Sequence, residues 1–274
     1  SNVTFVIVDG KLNISKRSVT LTSASASRPY DGKALTNNTV TVGGEGFAKG
    51  EGATFDVTGT ITNVGKADNT FTYVLNSNTN ADNYEITKKT GELEITPVTT
   101  EVTVTITGNI KTDTYDGTEK TAEGYKVSIN NKLYTEEDFS FNGEAVAKRK
   151  NAGTTMMGLE ESNFANTSKN FTNVKFVVID GKVAIDKRNV TLTSATDSKQ
   201  YDGKPLTNRN VTVGGDGFAG MEGATYDVTG SQTKVGSSDN TFTYTLNDNT
   251  KADNYNITTH EGTLTVTNRD AKYN

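Results

Sequence analysis

Residues 70–75 read TFTYVL, and residues 241–246 read TFTYTL. In the first stretch Phe71, Tyr73 and Leu75 occupy every second position, so their side chains lie on one face of an extended strand. Similar short runs recur about every 8 to 12 residues and end at Gly, Asn or Asp, while no helical periodicity is sustained. Because a sheet with one apolar face needs a second sheet to cover it, the sequence predicts an all-β protein built of small β-sandwiches.

The alternating runs predict strands in three successive blocks. They lie at residues 19–22, 39–42, 54–58, 70–75, 84–87 and 92–95, then 101–107, 125–129, 154–158 and 175–179, then 190–193, 210–213, 225–229, 241–246, 255–258 and 263–267. Residues 176–179 and 182–185 are expected to form a hairpin, because Asp180-Gly181 suits a two-residue turn. Residues 5–14 carry the same pattern around Asp9-Gly10, and a hairpin there is expected to add to a neighbouring molecule or to fray.

The sequence repeats itself with a period of 171 residues. The signature Tyr30-Asp31-Gly32-Lys33 returns as Tyr201-Asp202-Gly203-Lys204, with 201 − 30 = 171. A third Tyr-Asp-Gly, at Tyr115-Asp116-Gly117, falls between them, with 115 − 30 = 85. A long copy that stays in register indicates a repeat array. The array is expected to alternate two kinds of repeat, an outer type and a middle type.

The repeats predict the domain limits of the chain. Residues 2–15 match 173–186, so the chain is expected to be a piece of a longer array. The predicted segments are the terminal hairpin of a preceding repeat at 1–15, an outer repeat at 16–97, a middle repeat at 98–186, an outer repeat at 187–268 and a tail at 269–274. The joints Thr96-Pro97-Val98 and Asp186–Asn189 are short and unlike a Gly/Ser-rich tether. Tandem immunoglobulin-like domains in an extended rod are therefore expected.

Composition restricts the possible functions. The net charge of −5 gives no general attraction to nucleic acid, because a basic face that could neutralise phosphates is lacking on average. The chain has no Cys, which excludes disulfides and thiolate chemistry. No apolar run approaches the roughly 18 residues of a membrane span, so no membrane insertion is expected.

The Tyr-Asp-Gly elements are interpreted as structural turns. Asp bonds backbone donors two residues on, Gly supplies a positive φ, and Tyr can bury its ring while its hydroxyl reaches a backbone carbonyl. The residues of this structural turn motif are Tyr30, Asp31, Gly32, Tyr115, Asp116, Gly117, Tyr201, Asp202 and Gly203. A ligand-binding role is the less favoured reading, because the element occurs in all three repeats.

Other motifs favour no catalytic, cofactor or metal site. The glycine-rich segments at 43–47 and 214–218 lack the helix that a phosphate loop requires. The acidic segments at 67–69, 80–83 and 237–240 have no calcium-loop spacing and are read as Asx turns. The only His, His260, corresponds to Lys89 in the first copy and is expected on the surface. The protein is therefore not expected to be an enzyme.

A rod without Cys can gain stiffness from covalent Lys-Asn isopeptide bonds. Lys33 with Asn83, and Lys204 with Asn254, are the pairs that occur in both outer repeats. Both Lys residues belong to a turn rather than to an apolar strand, which disfavours the bond.

The ordered set of motifs resembles the YDG/MBG family of bacterial immunoglobulin-like repeats. It comprises Tyr30-Asp31-Gly32-Lys33, the Gly43-to-Phe47 segment, Val64-Gly65, the strand at 71–75, Asn83-Tyr84 and a terminal Gly91-x-Leu93. The series runs again through the last repeat. The middle repeat is similar in Tyr115-Asp116-Gly117, Asn151-Ala152-Gly153, Asn170-Phe171 and Gly181-Lys182-Val183, but lacks the Gly-Gly-x-Gly-Phe segment.

This resemblance implies stalk or spacer repeats of a bacterial adhesin, located outside the cell at its surface or wall. The adhesin's ligand, a host or bacterial surface protein or glycan, is expected to bind regions outside these residues. Two alternatives remain open. One is a carbohydrate- or protein-binding module, which exposed aromatic residues such as Tyr134 or Phe139 would favour, and the other is an accessory domain of a large extracellular enzyme.

Overall fold

The computed structural model describes residues 1–269, so the predicted tail at 269–274 lies outside the described residues except for Arg269. It confirms the all-β prediction. The first eight strands, in the predicted first outer repeat, are β1 (Arg17–Ser23), β2 (Ala26–Pro29), β3 (Val40–Gly44), β4 (Ala53–Val57), β5 (Gly65–Asn69), β6 (Phe71–Leu75), β7 (Tyr84–Lys89) and β8 (Gly91–Thr96).

The next ten strands follow in the middle of the chain. They are β9 (Val102–Gly108), β10 (Ile110–Thr114), β11 (Lys120–Glu123), β12 (Tyr125–Ile129), β13 (Phe139–Phe141), β14 (Val146–Arg149), β15 (Gly153–Met156), β16 (Phe164–Asn166), β17 (Val174–Ile179) and β18 (Lys182–Asp186). The last eight are β19 (Arg188–Ser194), β20 (Asp197–Gln200), β21 (Val211–Gly215), β22 (Ala224–Val228), β23 (Gly236–Asn240), β24 (Phe242–Leu246), β25 (Tyr255–His260) and β26 (Gly262–Thr267). Helical structure in residues 1–269 is limited to four 3-10 turns, at Ala81–Asn83, Glu136–Asp138, Glu161–Asn163 and Ala252–Asn254.

The chain forms two compact units. The first comprises Ser1–Thr103, Ile129–Ser140 and Asn166–Lys175, and the second comprises Val104–Ser128, Phe141–Ala165 and, within the described residues, 176–269. The first unit contains the sheets β3-β1-β7, β2-β8-β5 and β4-β6. The second contains the sheets β10-β18-β15, β11-β14, β21-β19-β25, β20-β26-β23 and β22-β24. The domain limits given by the sequence stay a prediction.

In the first unit, two bent strand runs lie side by side and parallel. Strand β1 pairs with β7 from Arg17↔Tyr84 onward, and β2 pairs with β8 from Ala26↔Leu93 onward. Both pairings have the same offset of 67 (84 − 17 and 93 − 26), so β1–β2 and β7–β8 are each one run that changes sheet at a bend. Strands β2 and β5 are not among the predicted strands, because their exposed polar residues weaken the alternation that marks a strand.

A buried polar network holds this bend. Asn69 is fully buried, and its Nδ2 donates to the carbonyl oxygens of Ala24 and Asn37, each at 2.8 Å. The Ser23 hydroxyl donates to the Asn69 carbonyl at 2.6 Å and accepts from the Gly91 amide at 2.9 Å. These bonds satisfy backbone groups that leave the regular ladder where the strands change sheet.

The bend also requires a residue without a side chain. A Cβ at Gly91 would lie 2.4 Å from the carbonyl oxygen of Ser23, a separation at which the backbone would have to move. The second unit repeats the whole arrangement with Ser194, Asn240 and Gly262, whose hydrogen bonds agree with those of the first copy within about 0.1 Å.

The predicted hairpin at Asp180-Gly181 is wrong, because β17 and β18 are not paired with each other. Strand β18 pairs with β10 and β15, whereas β17 lies beside β9. Gly181 has no positive φ, and a Cβ there would lie 2.4 Å from Met157 Sδ. The Asp180 carboxylate accepts hydrogen bonds from the amides of Gly158 and Leu159, each at 3.0 Å. Asp180-Gly181 is therefore a sheet-changing bend, like the one at Gly91.

Residues 1–16 contain no strand, so the hairpin expected over residues 5–14 is not formed. Its apolar side chains are exposed, with Phe5 at 86% and Ile14 at 86%. The matching residues Phe176 and Ile185 are buried among other strands. An isolated two-stranded hairpin is only marginally stable, which accounts for the difference.

The alternation of Phe71, Tyr73 and Leu75 is confirmed, since Thr72 and Val74 between them are exposed. Phe71 packs in a core with Val19, Leu21 and Tyr84. In the second unit the corresponding core is larger, because strands of the middle repeat share it with strands of the last repeat. Its buried residues are Tyr115, Ala122, Ala147, Met157, Leu159, Val183, Ile185, Val190, Leu192, Ala219 and Tyr255.

Candidate functional site: the tyrosines of the Tyr-Asp-Gly turns

The three Tyr-Asp-Gly elements share one backbone geometry. The carboxylates of Asp31, Asp116 and Asp202 each accept a hydrogen bond from the amide two residues on, at 2.8–2.9 Å. The following glycines have φ values of 74°, 81° and 80°. This is the left-handed region that favours glycine, so each element is an Asx turn closed by a glycine.

The tyrosine of each turn is tied to the end of a strand. The amide of Tyr30 donates to Thr96, that of Tyr115 to Asp186 and that of Tyr201 to Thr267, each at 2.9 Å. These acceptors are the last residues of β8, β18 and β26. Each tyrosine is therefore fixed at the last residue of a strand that closes one of the predicted repeats.

In the second unit the Tyr115 side chain bonds a carboxylate of the last repeat. Its hydroxyl donates to Glu222 Oε1 at 2.5 Å, and the Tyr255 hydroxyl donates to Glu222 Oε2 at 2.5 Å. The two phenol rings meet edge to face, with centroids 5.6 Å apart. The hydroxyl thus reaches a side-chain carboxylate and not the backbone carbonyl that the sequence analysis expected.

Further polar contacts surround this carboxylate. The Tyr255 hydroxyl also accepts from the Ala219 amide at 3.0 Å. Asn254 is buried, with its Oδ1 accepting from the Ala152 amide at 2.9 Å and its Nδ2 donating to Asn151 Oδ1 at 3.1 Å. The Asn-Ala-Gly turn of the middle repeat therefore lies on the same patch as Tyr115.

Burial and the carboxylate together shift the phenol groups. Burial, followed by the hydrogen bond to Glu222, raises the pKa of Tyr115 to about 12. The same two causes raise the pKa of Tyr255 above its ordinary value. Deprotonation of either phenol would place a second negative charge beside Glu222, so both hydroxyls stay donors at neutral pH.

A different tyrosine cluster occurs in the first unit. The ring of Tyr30 meets Phe171 edge to face at 5.7 Å, and Phe171 in turn meets Tyr134 at 5.1 Å. The amide of Val64 donates to Asn170 Oδ1 at 2.9 Å. Phe171 and Tyr134 are nearly inaccessible, at 1% and 2% exposure. Tyr30 therefore also contacts the middle repeat, through aromatic packing instead of a carboxylate.

Tyr134 and Phe139 do not support the binding-module alternative. Tyr134 is buried, and its hydroxyl donates to the carbonyl of Asp138 at 3.0 Å. Phe139 is half-buried and lies parallel to the Tyr134 ring, with centroids 6.5 Å apart. Both rings therefore serve packing.

The glycine-rich segments fold around an arginine. Arg17 donates to the carbonyl oxygens of Gly46 at 2.7 Å and Glu45 at 2.5 Å, and Arg188 makes the same bonds to Gly217 and Asp216. These carbonyls are acceptors pointing at a cation, which is the opposite of the amide donors that a phosphate group needs.

Two of the acidic segments are not Asx turns. Residues 67–69 and 237–240 belong to β5 and β23, where Asn69 and Asn240 hold the bends. Residues 80–83 do form a turn, in which Asn80 Oδ1 accepts from the Asp82 amide at 3.0 Å. Within residues 1–269 no three His, Asp or Glu side chains are grouped closely enough to hold a metal ion.

The remaining candidate residues, His260 and the two Lys-Asn pairs, do not form a site. His260 is exposed at the end of β25. Lys33 and Lys204 are exposed as well, and the Asn254 amide is occupied by Asn151 and Ala152. The geometry therefore offers no apolar Lys-Asn pocket at these pairs.

No family model, curated protein or solved structure matches the chain. None of the helical turns in residues 1–269 has the length and apolar character to cross a membrane.

Proposed function

We propose that this chain consists of structural spacer repeats from the stalk of a bacterial cell-surface adhesin of the YDG/MBG type. The observation that carries the proposal is the contact of Tyr115 with Glu222 and Tyr255 in the second unit. A turn residue that recurs in all three repeats of the sequence is here the fixing point for the next repeat. A protein whose repeated motif joins its repeats is suited to transmit position and force.

The short connection at the same place supports a stiff joint. Strand β18 ends at Asp186 and β19 begins at Arg188, so Lys187 alone separates them. Arg188 also donates to the carbonyl oxygen of Tyr115 at 3.4 Å. A joint with one free residue and several direct bonds leaves little room for the bending that a flexible tether allows.

The finer architecture belongs to the same proposal. We infer that residues 16–97, 98–186 and 187–268 are tandem immunoglobulin-like sandwiches arranged as an extended rod. The in-register copies and the repeated bend networks support a regular array, in which the last repeat shares a core with the middle repeat. The adhesin's ligand, a protein or glycan, then binds elsewhere, and the repeats work outside the cell at its surface or wall.

Small-angle X-ray scattering of the full chain tests the rod. A compact chain of 274 residues has a radius of gyration of roughly 19 Å. The proposal expects a radius clearly above this value and a distance distribution with a long tail. A radius near the compact value would contradict it.

A variant and a binding assay complete the test. Replacing both Tyr115 and Glu222 by Ala is expected to broaden the distance distribution, whereas Tyr201→Ala, at an exposed tyrosine, leaves it unchanged. The full chain is also applied to a glycan array. Saturable binding to a defined glycan would favour the binding-module alternative over the spacer.

A further inference from the structure

The first outer repeat carries an open pocket of about 550 Å³. Residues 14–16 form one side of it. We call the pocket the socket and define it by five residues, the carboxylate-bearing Glu51 and the surrounding Arg17, Ala48, Asn83 and Tyr84.

The polar groups of the socket are already arranged. The Tyr84 hydroxyl donates to Glu51 Oε2 at 2.5 Å and accepts from the Ala48 amide at 3.0 Å. Phe47 packs edge to face against Tyr84, with centroids 5.2 Å apart. Glu51 is thus held in place by one phenol, on a surface where Ala48 and Asn83 are exposed.

The last repeat contains the same five residues, each 171 positions later, and there the site is filled. They are Arg188, Ala219, Glu222, Asn254 and Tyr255. Tyr115 donates to the free side of Glu222, and the Ala152 amide donates to Asn254. The exposed fractions differ accordingly: Ala219 is 4% and Asn254 1% exposed, whereas the matching Ala48 and Asn83 are exposed.

We propose that the socket is a docking site for the Tyr-Asp-Gly tyrosine and the Asn-Ala-Gly turn of a middle-type repeat. The tyrosine hydroxyl would donate to Glu51 Oε1, and the amide of the Asn-Ala-Gly alanine would donate to Asn83 Oδ1. This inference rests on the tandem array of the proposed function, to which it adds the partner of one specific surface.

The residues at the rim of the socket identify this partner. Residues 2–15 match 173–186, and Ser15 corresponds to Asp186, whose carbonyl accepts the amide of Tyr115. A middle-type repeat that used residues 2–15 as its last strands would therefore bring its own tyrosine to Glu51. The exposed apolar side chains of that segment, Phe5 and Ile14 among them, would then be buried as Phe176 and Ile185 are.

A second copy of this chain fits less well than an additional middle-type repeat. Its Tyr115 is 2% exposed and already bonded to Glu222 of the same chain. To occupy the socket of a neighbour it would have to leave that buried site, at the loss of a hydrogen bond to a charged group.

The test extends the full chain by a copy of residues 98–172 placed directly before Asn2. Hydrogen exchange followed by mass spectrometry then compares the extended chain with the original. Amides of residues 2–15 and of residues 45–52 are expected to exchange at least tenfold more slowly after extension. In the added copy, replacing the Tyr-Asp-Gly tyrosine by Ala is expected to restore fast exchange at 45–52 while 2–15 stay protected.

Matched variants guard against a merely structural effect. Glu51→Gln in the extended chain should reduce the new protection at 45–52. Glu222→Gln should leave that protection unchanged and reduce only the protection that residues 216–223 already have. Unchanged exchange at 45–52 after extension would overturn the proposal, and so would a failure of residues 2–15 to become protected. Protection of 45–52 that grows with concentration in the unextended chain would point instead to a second copy. The scattering test of the spacer proposal does not depend on any of these exchange results, so the two proposals can fail separately.

Discussion

The hydroxyl of Tyr115 lies 2.5 Å from Oε1 of Glu222, although 107 positions separate the two residues in the chain. Tyr255 donates to the other oxygen of the same carboxylate at 2.5 Å. One carboxylate thus accepts two phenols that belong to different repeats. A hydrogen bond to an ionised acceptor is stronger than one between neutral groups, so this contact contributes to the joint beyond its apolar packing.

Tyr115→Phe keeps the ring and removes only the hydroxyl. We expect the free energy of unfolding of the second unit to fall by about 2 kcal/mol, the usual worth of a hydrogen bond to a charged group. Native-state hydrogen exchange of strands β18 and β19 measures the change. Tyr201→Phe is the matched control, since its ring is 43% exposed and its loss should stay within about 0.5 kcal/mol. Equal effects of the two variants would refute a special role for Tyr115.

Glu222→Gln and Glu51→Gln compare the filled and the open site. Glu222 accepts from two tyrosines and Glu51 from Tyr84 at 2.5 Å. Glu222→Gln is expected to destabilise the protein by about 1–3 kcal/mol and Glu51→Gln by about half as much, because fewer charge-assisted bonds are weakened. Urea unfolding of both variants provides the measurement. A larger loss at Glu51 would contradict the description of the filled site.

Alkaline pH should lower the free energy of unfolding of the second unit. The pKa of Tyr115 is raised to about 12 and that of Tyr255 is raised as well, whereas unfolded Tyr titrates near pH 10. The unfolded chain therefore releases these protons first. For Tyr115 the stabilisation is complete below about pH 10 and is lost between about pH 10 and 12, by up to about 1.4 kcal/mol per pH unit. Because the pKa of Tyr255 is raised as well, its contribution is also lost as the pH rises above about 10.

Thermal unfolding between pH 8 and pH 11.5 checks this dependence. Tyr115→Phe is expected to show a shallower decline than the parent chain, because one of the two titrating phenols is absent. If the melting temperatures of the two proteins declined in parallel with pH, Tyr115 would not contribute to this pH dependence.

Gly262→Ala probes the bend between β25 and β26. A Cβ there would lie 2.4 Å from the carbonyl oxygen of Ser194, so the backbone must shift. We expect a loss of about 3 kcal/mol, as for severe overpacking. Gly214→Ala in the same repeat is the control, because its Cβ would lie 3.7 Å from the nearest atom and its φ is not positive. Calorimetry should give a clearly higher melting temperature for Gly214→Ala than for Gly262→Ala. The reverse order would disprove the steric account.

Strand content was well predicted where alternation was strong. The stretch 70–75 and the run 125–129 coincide with observed strands almost residue for residue. Strands such as β2 and β20 were not predicted, because they lack large apolar residues and every second position is exposed. The Asp180-Gly181 pair predicts a hairpin turn but forms a bend between sheets, since Asp-Gly looks the same in sequence in both settings.

The amino-acid sequence by itself determined the repeat, its period of 171 residues and the local turn of each Tyr-Asp-Gly element, because these depend on neighbouring residues and on backbone preferences. The tertiary structure alone decided where Tyr115 and Asn69 direct their polar atoms. Their partners are 107 and 45 positions away, and a hydrogen bond over such a separation follows from the packing of whole strands. Local periodicity carries no information about which distant carboxylate or carbonyl that packing supplies.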